Sequence, residues 1–269
     1  MTEHLLTPEE NTSRFYHLAK SYNNFDRLEI LGIIQSQLSL TQEEQCFVAT
    51  YYRARGNIET MLTITHAKHF QAAAMLARAV FELAVDIRLL EVTPNGWMKM
   101  VAFDEVERLR SARKVVAYKR THPDAEIDLT SYLPFIANNE NRIDAFRKSL
   151  WSKPTDRYHW SGLRFSERVA RLGGPVDRIY EVDYPRLSWY VHSGVTGVVN
   201  LKSETFVHLC ANAFSLAADS YREVLEVIIR KFKIDRATNK IDFKLYAAKA
   251  FPFNDDPEIE DWLTRSIQG

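Results

Sequence analysis

The chain has 269 residues, with 46% hydrophobic and 26% charged residues, the usage of an ordinary globular protein and not of a disordered or fibrous one. Lys plus Arg and Asp plus Glu both number 35, so no global field draws the chain to nucleic acid or anionic lipid, and any polyanion has to find a local patch. The only two cysteines, Cys46 and Cys210, lie in apolar helical surroundings, which excludes a disulfide framework.

The N-terminal stretch MTEHLLTPEE lacks a basic region followed by an apolar core, so no secretory signal is expected and the cytoplasm is the expected location. Thr7, Pro8, Glu9 and Glu10 supply a cap, a proline for the first helical position and acids near the positive helix end, which predicts a helix from there. Residues 25–40 carry apolar side chains at helical intervals, and Thr41 with Glu44 has capping-box spacing, giving three helices by Arg55. Asn57 is then expected to open a long apolar run, interrupted at most once, that reaches Val92 and stops at Thr93, Pro94, Asn95 and Gly96. Its most apolar part, residues 70–90, contains Arg78, Glu82, Asp86 and Arg88, charges too costly for a transmembrane helix.

An amphipathic helix follows over 97–120, a turn at Thr121, His122, Pro123 and Asp124, and another helix over 134–150. Residues 151–175 read as irregular, with a short helix over 166–172 and a break at Gly173, Gly174 and Pro175. Pro185 suits the first turn of a helix ending near Ser193, Gly194 and Gly197 allow a turn, and Ser203 caps a long helix to about Phe232. A further helix is expected over 237–248 and an acidic, partly helical tail from Asn254. With no repeat or flexible linker, the chain reads as one all-α domain over 1–269, an irregular multi-helix bundle with its core at about 25–232 and an appendage at 235–269.

The helix AAAMLARAVFELAVDIRLL is apolar nearly all round, so its charges need partners. Arg78, Glu82 and Asp86 follow one another at four-residue steps and form one stripe, either a structural row of ion pairs or the wall of a polar pocket. In DYPRLSWYVHSG, Tyr184, Ser188 and His192 make a second such row. Hydroxyl and imidazole groups serve acid–base chemistry or phosphate recognition, and equally serve as caps and back-bonds of a helix. His66 with His69, and Glu204 with His208, share helix faces without the further ligands that a metal centre needs, so no metal and no cofactor is expected. No Walker loop, dinucleotide fingerprint, CxxC pair or nucleophile elbow occurs.

The segments RAVFE at 78–82, HWSG at 159–162 and YPRLSWYVHSG at 184–194 resemble a family of uncharacterised bacterial all-helical proteins that carry an Arg-to-Glu helix followed by a Tyr, Ser and His helix. That resemblance extends over about residues 57–232 and implies a helical fold without naming an activity. The later helix also resembles the HEPN pattern, in which an Arg and a His a few residues apart serve metal-independent RNA cleavage, usually where two subunits meet. This resemblance implies that Arg186 holds a phosphate, that His192 assists proton transfer, that RNA is the partner and that the chain forms a homodimer.

Two functions therefore stand side by side. The first is a non-enzymatic binding or regulatory protein whose polar groups form a buried network. The second is a metal-independent endoribonuclease of a defence or toxin system, with His192, Ser188, Tyr184 and Arg186 as its catalytic set and Arg78, Glu82 and His159 on the substrate. Whether the chain is an enzyme stays open at this point, no membrane partner is expected, and both readings require the Arg78–Glu82 row to confront the Tyr184–His192 row.

Overall fold

The computed structural model describes residues 8–64, 66–151, 159–191 and 203–234, and the described residues are helical with short turns and no strand. The α-helices are α1 (Pro8–Phe25), α2 (Leu31–Gln35), α3 (Gln42–Met61), α4 (Phe70–Val92), α5 (Gly96–Thr121), α6 (Tyr132–Leu150), α7 (Phe165–Leu172), α8 (Pro175–Val191) and α9 (Ser203–Lys231). A π-helical turn, Asp26–Ile30, joins α1 to α2, and a 3₁₀ turn, Ala67–His69, precedes α4. The all-α expectation holds. The helix and tail expected after residue 236 lie outside the described residues. No helix among the described residues is long and apolar enough to cross a membrane.

By internal contacts the chain falls into two compact units, residues 1–92 with 169–269 and residues 93–168. In the first, α9 packs along α4 and α1 and also meets α3 and α8, while α4 packs on α3 and α8. Sequence explains the closeness. Ala73, Ala74, Ala77 and Ala84 of α4 and Ala211, Ala213, Ala217 and Ala218 of α9 are all buried, and such small side chains let helix backbones approach. Phe81, Ile87, Phe214, Tyr221 and Ile228 fill the remaining space. At the helix edges, Arg230 forks onto Glu91 at 2.8 and 3.0 Å, Arg88 pairs with Glu223, and Thr12 donates to the Val207 carbonyl at 2.9 Å.

The capping box expected at Thr41 is present. Its hydroxyl accepts the Glu44 N–H at 3.2 Å, and the Glu44 carboxylate accepts the Thr41 N–H at 2.8 Å. These bonds hold the Glu44 carboxyl below the ordinary range. Three boundaries differ from expectation. The helix of residues 25–40 continues α1 through the π turn and ends at Gln35. Asn57 opens no helix, because α3 runs unbroken through Gly56 to Met61 and the interruption falls between Met61 and Ala67. Pro175, following Gly173 and Gly174 at φ +60° and +62°, starts α8, so Pro185 lies ten residues inside it. Pro185 and Glu181 are both exposed, so the carbonyl left without a helical donor faces water, which lowers the cost of an internal proline.

In the second unit α5 and α6 form a hairpin whose buried residues include Leu109, Ala112, Val116 and Ile143. Arg113 of α5 reaches Glu140 at 2.5 Å and Asp144 at 2.8 Å on α6, and Arg142 of α6 returns to Glu105 at 2.9 and 3.0 Å. Asn95, just before α5, lies in the left-handed region at φ 54°, a conformation that asparagine tolerates better than most residues.

Candidate functional site

α4 and α8 meet where Arg78 and Glu82, from the first row foreseen in the sequence, face Tyr184 of the second. Arg78 and Glu82 stand one turn apart on α4 beside the buried Ala77, Val80 and Phe81. Leu187 buries the inner side of α8, which brings Tyr184 over this part of α4. The Tyr184 ring lies 5.6 Å from the Phe81 ring and 5.6 Å from that of Tyr180, one turn earlier on α8. The Arg78 guanidinium sits over the Tyr184 ring, 4.8 Å from its centre, a cation–π arrangement.

The hydroxyl of Tyr184 is the hub. It accepts from Arg78 Nη2 at 2.8 Å and donates to Glu82 Oε1 at 2.8 Å, and the two charged groups lie 3.6 Å apart. Burial and the Glu82 carboxylate push the Tyr184 phenol up, against the opposing pull of Arg78. A phenol held this way keeps its proton. Ser188, half-buried, turns its hydroxyl into its own helix and donates to the Tyr184 carbonyl at 2.9 Å. Arg186 is exposed. Asp86 is half-buried on the same stripe of α4. His192, to which the nuclease reading gives the proton transfer, lies outside the described residues.

His159 belongs to the unit of residues 93–168 and has partners there. Its Nε2 is 2.8 Å from Arg168 Nη1, its Nδ1 is 2.8 Å from Ser161 Oγ, and its ring lies 6.3 Å from that of Phe103. Trp151 donates its indole N–H to the Trp160 carbonyl at 3.1 Å. His66 Nδ1 accepts the Lys68 N–H at 3.2 Å and caps the 3₁₀ turn. Among the described residues no three His, Cys, Asp or Glu side chains gather as a metal site would require.

A second polar cluster has no counterpart in the rows foreseen from sequence. Asp26, with no solvent exposure, receives the Tyr51 hydroxyl, lies 3.3 Å from Arg55 Nε, and has the Tyr221 hydroxyl as a neighbour. Arg55 reaches on to Glu59 at 2.5 Å. Burial raises the Asp26 carboxyl, although Tyr51, Tyr221 and Arg55 pull it down; burial and Asp26 together raise both phenols. The signal lay in the four-residue spacing of Tyr51, Arg55 and Glu59 beside the apolar Ala54 and Ile58. The π turn at Asp26 left no such mark.

The molecule is thus an all-α protein whose charged and hydroxyl side chains join helices in small closed groups. Residues 45–205 match the model of the DUF5677 family, described as a family of unknown function, and the chain belongs to that family. The matched stretch contains Arg78, Glu82, His159, Tyr184, Arg186, Ser188 and His192. No curated protein and no solved structure matches the chain.

Proposed function

We propose that the protein acts by binding, as a non-enzymatic or regulatory helical scaffold, with the Arg78–Tyr184–Glu82 junction fixing α8 on α4. One observation carries this reading: the Tyr184 hydroxyl is engaged in both directions, as acceptor from Arg78 and donor to Glu82, each at 2.8 Å. A nucleophile or general base has to offer a lone pair to substrate, and general catalysis needs a group whose proton moves near the working pH. The phenol, pushed up by burial and already holding partners on its proton and on one lone pair, is poorly disposed to either role, and the Ser188 hydroxyl gives its proton to its own helix. The same groups suit a structural joint, because a polar set closed on itself orders a packed interface.

Incubating the full chain with RNA under chelation, beside His192→Ala, tests this against the ribonuclease reading. The binding reading expects intact RNA with both proteins. Cleavage by the wild type that the variant lacks would overturn it.

A further inference from the structure

The charges of this neutral chain are not spread evenly. Residues 93–168 hold fourteen Lys and Arg against ten Asp and Glu, a net charge of +4, which leaves −4 on the rest. Within this unit the cations gather on the C-terminal half of α5. Arg110, Lys114 and Tyr118 succeed one another at four-residue steps and form one stripe that turns slowly about the helix, and His122, the residue just after its end, follows; all four are exposed. Each step advances about 6 Å along the axis.

At the far end of the stripe two exposed aromatic rings lie one on the other. The rings of Tyr118 and His122 are stacked, 4.2 Å between centres and 12° between planes, and Tyr118 is 51% exposed. Their setting is held in place. Lys119 Nζ donates to the Pro123 and Ala125 carbonyls, both at 2.6 Å, which fixes the turn after α5, and His122 N–H closes the helix onto the Tyr118 carbonyl at 2.9 Å. Two hollows of about 350 and about 400 Å³ flank the Arg110–Lys114 ridge and share these two residues and Glu107. The first has an apolar floor, Leu109 and Ile143, between the cations Arg113 and Arg147. Acids temper the patch, with Glu107 on Arg110 and Glu140 and Asp144 on Arg113.

We infer that this face of α5 is a binding site for single-stranded nucleic acid, with phosphates along Arg110 and Lys114 and a base on the Tyr118–His122 stack. Charge alone would suit any polyanion. An exposed pair of stacked rings continuing a cationic row suits a strand whose unpaired bases can extend that stack, since stacking and backbone charge are the two terms by which single strands are held. A duplex hides its base faces, and a run of acidic side chains alone has no flat partner to offer. The site is separate from the α4–α8 junction and stands whether or not the protein is an enzyme.

The test is fluorescence anisotropy of the full chain with labelled oligouridylate and oligothymidylate of one length, beside a duplex and a polyglutamate of equal charge, over a salt series. Saturable binding of the single strands, weaker for the duplex and polyglutamate, is expected. Tyr118→Ala should lower affinity by on the order of tenfold, the usual loss for one stacked base. Arg110→Glu with Lys114→Glu should lower it further and flatten the dependence of log affinity on log salt by about 0.7 for each phosphate no longer neutralised. Unchanged circular dichroism would show that these exposed substitutions leave the fold intact. The inference is overturned by no saturable binding at low salt, by equal binding of polyglutamate or duplex, or by folded variants that bind as the wild type does. A dimer that dissociates in Lys114→Glu would also overturn it, by assigning the face to the acidic part of a second copy.

Discussion

Asp26 and Tyr184 show how a polar side chain earns a place between helices. Tyr184 was legible in the sequence because a charge on a nearly all-apolar helix demands a partner, and Arg78 and Glu82 stood in register to receive a hydroxyl. Asp26 was not, since Asn23, Asn24 and Arg27 around it make the stretch look like surface, and its burial comes from packing near Tyr221 of a helix distant in sequence. The two also differ in consequence. Because burial raises the Asp26 carboxyl, the native state holds that proton at pH values where the unfolded chain, at about 3.9, has released it. The native state then binds more protons than the unfolded one, so this group's contribution to stability is greatest below the unfolded value and is lost as pH rises through the folded value. Urea unfolding of the wild type and Asp26→Asn at a series of pH values checks this. Wild-type stability minus that of the variant should decline with rising pH, and a difference that is flat or grows would contradict it. Exposed Arg186 lies at the other extreme, and Arg186→Ala should alter unfolding free energy by no more than about 0.5 kcal/mol, as is usual for surface positions.

Among the elements, local chemistry settled most starts and tertiary packing settled the rest. The Thr41 box is written in two residues and appears as written, so Thr41→Ala should cost about 1 kcal/mol, read as a lower urea midpoint with unchanged slope. Gly56 and Asn57 looked like a boundary because glycine weakens helices, yet Tyr51, Ala54, Ile58 and Met61 bury one continuous face across them. Nothing stands within 4 Å of the place a Gly56 Cβ would take, so Gly56→Ala should stabilise the protein by about 0.5–1 kcal/mol in the same measurement. Pro185 misled for a related reason. A proline permits either the first turn of a helix or an exposed interior position, and the buried Val176 and Leu187 decide for the longer α8. That extension carries Tyr180 as well as Tyr184 onto the same helix.

At the scale of the molecule, neither junction between the two units left a mark in composition. One falls in the short turn after α4 and the other inside α7, between Arg168 and Val169, so no linker distinguishes residues 93–168. The family match runs from 45 to 205 and includes all of that unit, so the α5–α6 hairpin lies within the matched span. In each unit buried charged side chains have polar partners, Asp26 and Arg55 in one and Arg168 in the other. The central claim, that Arg78, Tyr184 and Glu82 form a joint and not a reacting centre, is tested most directly by a double-mutant cycle of Arg78→Leu and Tyr184→Phe in urea unfolding. Groups kept for catalysis are commonly removed at no loss of stability, whereas a joint loses it. Each substitution should destabilise the protein by about 1 kcal/mol or more, with a coupling of about 0.5–3 kcal/mol between them. Single variants as stable as the wild type, with no coupling between the two positions, would contradict it.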